Sequence, residues 1–107
     1  MANFNYDYSE YSDILHVHQK GEETKGSVEI GDFTLDFGKK DAIVGVEIEH
    51  ASEFFSNMGI KKSSLNEVKN ARILISSRNP QCHIIFLRLE LLNKDIKIVS
   101  VPLPIVS

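Results

Sequence analysis

Apolar and polar residues alternate through most of the first half of the chain, the pattern of strands that bury one face. Turn residues such as Gly31 and Gly38 interrupt the alternation at short intervals. The most regular segment places Val44, Val46 and Ile48 on one face. The pattern predicts five strands, over residues 4–8, 13–19, 24–30, 33–37 and 43–48.

The pattern then changes to helical spacing near the middle of the chain. Residues 51–59 form a short amphipathic segment that Gly59 is placed to end, and Ser52 is the expected N-cap residue. Ser64 and Glu67 match a capping box, in which each side chain satisfies a free N–H group at the start of a helix. A second short helix is therefore expected from Ser64 to about Asn70.

The last third of the chain returns to a strand pattern. Strands are predicted over residues 71–77, 82–92 and 96–101, the middle one apolar enough to be buried on both faces. Pro102 and Pro104 lack an N–H donor, so this end belongs at a sheet edge or outside the sheet. The predicted fold is α+β: a predominantly antiparallel β-sheet with two short helices near the middle of one 107-residue domain.

Charge divides the chain into two halves. Residues 1–58 have 12 Asp and Glu against 4 Lys and Arg, whereas residues 59–107 have 3 against 8, and the formal net charge is −3. Such a split is typical of halves that neutralise each other, or of a basic surface for an acidic partner. The overall acidity and the absence of a known nucleic-acid motif argue against a nucleic-acid partner.

The sequence also predicts where the protein acts. The first residues lack a basic region followed by an apolar stretch, and no apolar stretch approaches the roughly 20 residues that span a bilayer. We therefore expect a cytoplasmic protein with no membrane role. No glycine-rich phosphate loop is present, and no cofactor is expected.

Two pairs of side chains are candidate metal ligands. His16 and His18 are two residues apart on a predicted strand and so point to one face, and Glu47 and Glu49 do the same on another strand. Imidazole and carboxylate groups together ligate zinc and related ions, provided that the two strands are neighbours in matching register. The alternative is a solvated sheet face with cross-strand His–Glu pairs.

The first half also shows an ordered set of short motifs. An apolar residue precedes Asp36, and an Ala–Ser pair at 51–52 follows the predicted strand over residues 43–48. The motifs are Tyr6-Asp7, Asp13-Ile14-Leu15-His16-Val17, Leu35-Asp36-Phe37, Gly45-Val46-Glu47-Ile48 and Ala51-Ser52. Over about residues 4–55 this order resembles the domain-of-unknown-function 2283 family, although His16 stands where the family pattern has an aromatic residue.

The resemblance implies acidic family positions at Asp7, Asp13, Asp36 and Glu47. Carboxylates of this kind take part in acid–base chemistry or bind Mg²⁺ or Ca²⁺, and the alternative is turn and strand-edge pairing. The family has no established activity. The genes of its members look like neighbours of genes for small ribonuclease-like toxins, and the resemblance therefore implies an antitoxin or partner-binding role.

These observations lead to two functional hypotheses. The absence of a catalytic frame and the apolar C-terminal strands favour a non-enzymatic protein that forms a homodimer or higher oligomer, with the dimer favoured, or that binds a protein partner. The alternative is a metal-dependent or acid–base enzyme that uses His16, His18, Glu47 and Glu49.

Overall fold

The first half of the chain forms a five-stranded antiparallel sheet. The computed structural model describes the backbone of residues 3–79 and 82–104, and the side chains of residues 3–75 and 85–100. The strand order is β1-β2-β5-β4-β3, so the central β5 pairs with β2 and β4. The strands are β1 (Phe4–Ser9), β2 (Ile14–Gln19), β3 (Gly26–Ile30), β4 (Phe33–Phe37) and β5 (Ile43–Glu49).

The second half forms a separate three-stranded antiparallel sheet in the order β6-β7-β8. Its strands are β6 (Val68–Asn79), β7 (Cys82–Leu91) and β8 (Ile96–Pro104). The two prolines of β8 lie at an edge of this sheet, as their missing N–H groups predict. All eight predicted strands are therefore confirmed, with some differences in their bounds.

The prediction that β7 is buried on both faces is wrong for the part of the strand whose side chains are described. Ile85, Leu87 and Leu89 are buried, whereas Phe86 and Arg88 between them are only half-buried. The outer face of this sheet is uncovered in the single chain, so its apolar residues contact solvent.

The two sheets pack through their apolar faces around one core. The five-stranded sheet supplies the side chains of residues such as Leu15 and Ile48, and the three-stranded sheet supplies those of residues such as Leu87. The division between the acidic and basic halves falls between the two sheets. The buried core cluster comprises Leu15, Val17, Leu35, Val46, Ile48, Ala51, Phe55, Ile60, Leu65, Ala71, Ile73, Ile85, Leu87, Leu89 and Val99.

Of the two predicted helices, the first is confirmed as α1 (Ala51–Ser56). Gly59 ends the turn that follows, with φ +79°, and the N–H of Ile60 donates to the carbonyl of Phe55 at 2.9 Å. Burial of Ala51 and Phe55 anchors this helix on the core.

The second predicted helix is wrong. Residues Lys62–Asn66 form a single 3₁₀ turn, and the next strand begins at Val68. Ser64 and Glu67 make no capping box, because the carbonyl of Glu67 accepts the N–H of Leu92 at 2.7 Å and the chain is drawn into the sheet. A second 3₁₀ turn, Lys39–Asp41, joins β4 to β5. Within the described ranges, no helix has the length and apolar character to cross a membrane.

Candidate functional site

The outward face of the five-stranded sheet brings together the side chains that the sequence singles out. The register pairs His16 with Glu47 and His18 with Gly45, so both histidines and Glu47 lie on one face of neighbouring strands. Glu49 lies on the same face, opposite Ile14. The strands β2 and β5 are therefore neighbours in matching register, as a metal site shared by these side chains would require.

Asp36 joins this face from β4, on the far side of β5. Its Oδ2 lies 3.4 Å from Nε2 of His16, and its Oδ1 accepts a hydrogen bond from the Ser27 hydroxyl at 2.8 Å. Gly45 lies between these strands, where an added Cβ would stand 2.6 Å from Oδ2 of Asp36 and 2.8 Å from Cδ2 of His18. The absence of a side chain at Gly45 is what allows groups from β2 and β4 to meet over β5.

The ring nitrogens of His18 both have partners within the chain. Nδ1 lies 2.9 Å from the carbonyl of Gln19, and Nε2 lies 3.0 Å from the hydroxyl of Thr24. The His16 and His18 rings make an edge contact with centroids 5.8 Å apart. Metal binding through either nitrogen of His18 would require the hydrogen bond at that nitrogen to break, and the site at His16, His18, Glu47 and Glu49 stays a prediction.

A different group of potential ligands lies at the end of this sheet. Among the side chains that the structure describes, only Asp32, Glu49 and His50 place three metal-ligating atoms within 4.8 Å of one another. All three residues are exposed. Oδ1 of Asp32 lies 3.3 Å from Nδ1 of His50.

The sequence pattern connected Glu49 with the histidines of β2 rather than with Asp32 and His50. Asp32 belongs to the turn between β3 and β4, and His50 follows β5 in a left-handed conformation with φ 53°. The sequence shows a Gly–Asp turn before β4 and a Glu–His pair at the end of β5, but not that these two strands pair. Their proximity depends on the register of β4 and β5, which local spacing does not define.

Asp13 is the centre of a third cluster, and it is a structural one. Its Oδ1 accepts hydrogen bonds from the Tyr8 hydroxyl at 2.5 Å and the Ser52 N–H at 3.0 Å. Its Oδ2 accepts a bond from the Ser52 hydroxyl at 2.7 Å, and its own carbonyl accepts the N–H of Ala51 at 3.0 Å. Asp13, directly before β2, therefore satisfies the N–H groups of Ala51 and Ser52 in the first turn of α1.

This arrangement corrects the prediction that Ser52 is the N-cap. His50 occupies the N-cap position without a side-chain capping bond, and Ser52 instead lies inside the helix and donates to Asp13. Burial acts to raise the pKa of Asp13, but the bonds from Tyr8 and Ser52 and the charge of Lys62 hold that pKa below its ordinary value. Asp13 is thus an ionised hydrogen-bond acceptor rather than a proton donor.

Two tyrosines of β1 face the core and stabilise its margins. The Tyr6 hydroxyl donates to the carbonyl of Leu65 at 2.6 Å, which joins the first sheet to the 3₁₀ turn before the second. Burial raises the pKa of Tyr6, and the nearby charges of Tyr8 and Asp7 raise it further. Burial, together with the bond to Asp13, also raises the pKa of Tyr8. Both phenols are therefore held protonated as donors.

Comparison with known proteins matches the first half of the chain alone. A family model described as "Protein of unknown function (DUF2283)" matches residues 5–52. Neither the curated proteins nor the solved structures contain a match to the chain. The matched segment covers nearly all of the five-stranded sheet and ends at Ser52, the residue that bonds to Asp13. Residues 5–52 are therefore similar to the DUF2283 family, and residues 53–107 lie outside the match.

Proposed function

We propose that the protein is a non-enzymatic cytoplasmic module that self-associates, with a second copy covering the outer face of its three-stranded sheet. The observation that supports this proposal is the set of exposed aliphatic side chains on that face. Leu74, Ile96 and Ile98 are 41%, 49% and 62% exposed, although each belongs to a regular strand. Contiguous apolar surface of this kind is typical of interaction sites.

The strand register shows that these residues form one surface. Leu74 on β6 lies opposite Phe86 on β7, and Ile98 and Ile96 on β8 lie opposite Arg88 and Glu90. Side chains directly opposite each other or one pair apart on the same face are close enough to contact. Leu74, Phe86 and Ile98 therefore form an apolar strip that runs diagonally across the three strands, beside the charged Arg88 and Glu90.

The charges on this face suit a second copy of the same chain. Arg88 and Glu90 are two residues apart on the central strand and point to the same side. In a twofold interface the same patch meets itself, so antiparallel β7 strands would place each Arg88 near Glu90 of the other copy. Such a pairing aligns the two apolar strips and supports a dimer.

Sedimentation of the purified full chain at micromolar concentration tests the dimer. We expect Ile98→Lys to convert the dimer to monomer, because a charge replaces a side chain that is exposed in the monomer and buried in the interface. Met58→Lys is the matched control, since Met58 is 45% exposed but lies beyond α1, away from this face. A monomeric wild type, or equal dissociation by both substitutions, would overturn the proposal.

A narrower proposal concerns the partner. The family resemblance supports an antitoxin-like role, in which the module binds a small ribonuclease-like toxin. Inhibition of such a toxin by the purified protein, with a defined stoichiometry, would support this role, and the absence of binding to a toxin encoded beside it would count against it.

The alternative of a metal-dependent or acid–base enzyme has one supporting observation, the common face of His16, His18 and Glu47. Both nitrogens of His18 and both oxygens of Asp36 are occupied on that face, which favours a structural role for these groups. Self-association is therefore the function that we favour.

A further inference from the structure

We propose that Asp32, Glu49 and His50 bind a divalent transition-metal ion such as Zn²⁺ at the end of the five-stranded sheet. This site lies on the opposite half of the chain from the proposed dimer face and is independent of it. It also differs from the His16 and His18 pair that the sequence favours.

One pair of donor atoms already has the spacing of two ligands on one metal ion, and the third donor lies nearby. Ligands about 2.0–2.1 Å from a tetrahedral ion lie about 3.3–3.4 Å from one another. Oδ1 of Asp32 and Nδ1 of His50 are 3.3 Å apart, and the Glu49 carboxylate lies within 4.8 Å of both. Small side-chain rotations would therefore bring all three atoms around one ion.

The backbone holds these residues in place before any ion binds. The N–H of Glu49 donates to the carbonyl of Asp32 at 2.8 Å, which fixes the β3–β4 turn against the end of β5. Glu49 and His50 are consecutive, and α1 begins at the next residue. Ligands that backbone hydrogen bonds hold close together lose less conformational entropy on binding than ligands on separate, loose loops.

The local charge also favours a cation. Asp32, His50, Glu53 and Asn57 line a shallow pocket of about 190 Å³, so Glu53 adds a carboxylate near two of the three proposed ligands, whereas Glu49 does not line this pocket. No Lys or Arg within the described side chains forms an ion pair with Asp32, Glu49 or Glu53. An ion bound here would neutralise carboxylates that have only an imidazole for a neighbouring ionic partner.

The mixture of donors selects the class of ion. An imidazole nitrogen with carboxylate oxygens suits Zn²⁺ and its neighbours, whereas Mg²⁺ and Ca²⁺ prefer sites made of oxygen alone. Three protein ligands leave a fourth position, which a water molecule can fill.

Calorimetric titration of the untagged full chain with Zn²⁺, and separately with Mg²⁺, tests the site. We expect one Zn²⁺ per chain and weaker Mg²⁺ binding. Asp32→Asn and His50→Asn should each reduce the Zn²⁺ affinity on the order of tenfold or more, since each removes one ligand. Asn tolerates the left-handed conformation of residue 50, so this substitution preserves the backbone.

His16→Gln is the matched control, because His16 also lies near an aspartate, with Nε2 3.4 Å from Oδ2 of Asp36. It should leave the Zn²⁺ affinity unchanged, and amide NMR spectra should show that all variants remain folded. Three results would overturn the site: no Zn²⁺ uptake, unchanged affinity in both ligand variants, or loss of binding in His16→Gln alone. Sedimentation of the same variants measures their oligomeric state, so a loss of Zn²⁺ binding can be distinguished from a loss of the proposed dimer.

Discussion

At the scale of single residues, Asp13 illustrates how one carboxylate connects distant parts of the chain. It accepts bonds from Tyr8 on β1 and from Ser52 in α1, and its own φ of 57° turns the chain into β2. Asp and Asn tolerate this left-handed conformation better than most residues, so the type of residue suits both tasks. The family match includes all three of these positions.

Asp13→Asn should destabilise the fold by about 1 kcal/mol at neutral pH, because a partly buried hydrogen-bond network loses its charged acceptor. The pKa of Asp13 is lower in the folded chain than its unfolded value of about 3.9, so its stabilisation is present above that pH. It is lost as the pH falls through the folded pKa. The stability difference between wild type and variant should therefore shrink in acid.

Denaturant unfolding at several pH values measures this difference. Asp41→Asn is a matched control, since Asp41 has a φ of 58° but is exposed and belongs to the 3₁₀ turn before β5. An equal loss in both variants, or a difference that does not change with pH, would contradict the role assigned to the Asp13 carboxylate.

At the scale of elements, Gly45 determines how β2, β5 and β4 lie together. The side chains of His18 and Asp36 occupy the space where a side chain at position 45 would stand. The register of β4 against β5 also shifts between Asp36 and Phe37, directly beside this close approach. The polar contact over β5 thus depends on a strand position without a side chain.

Gly45→Ala should cost about 1–3 kcal/mol, because the added methyl group must displace Asp36 and His18 from packed positions. Thermal unfolding measures this cost, and the imidazole NMR signals of His16 should shift as the contact with Asp36 is lost. Gly26→Ala on β3 is the control, since its Cβ would meet no atom within 4 Å. A Gly45→Ala variant as stable as the Gly26→Ala variant would refute this explanation.

The sequence predicted strands well because residues two apart share a face, and segments such as 33–37 and 43–48 show this alternation without interruption. The predicted helix at Ser64 and Glu67 is wrong, because the pairing of β6 with β7 overrides the local capping pattern. The Asp32–His50 group could not be predicted because its residues are 18 positions apart and meet through strand register. Periodicity defines faces, but it does not define which strands are neighbours.

At the scale of the whole molecule, the two halves share one core although they differ in charge and only the first half matches a family model. Leu15, Val17 and Ile48 from the first sheet are fully buried, and their burial depends on packing against the second. The acidic half therefore lies directly on the basic half.

A fragment of residues 1–58 should be unfolded, because removal of the second sheet exposes one side of its apolar face. Its amide NMR spectrum should lack dispersion, whereas the full chain under the same conditions should give a dispersed spectrum. A folded fragment would show that the family segment is a domain by itself, contrary to the prediction of a single domain.

The edge strand β8 affects how copies of the chain can add to one another. The N–H of Leu91 bonds across to Asp95, and in an antiparallel ladder this alternation turns the nitrogen atoms of Pro102 and Pro104 away from β7. A further strand approaching this edge would find no donors at these two positions. Indefinite edge-to-edge stacking of the kind that builds amyloid fibrils is thus obstructed at this end of β8, although the neighbouring sheet face is apolar.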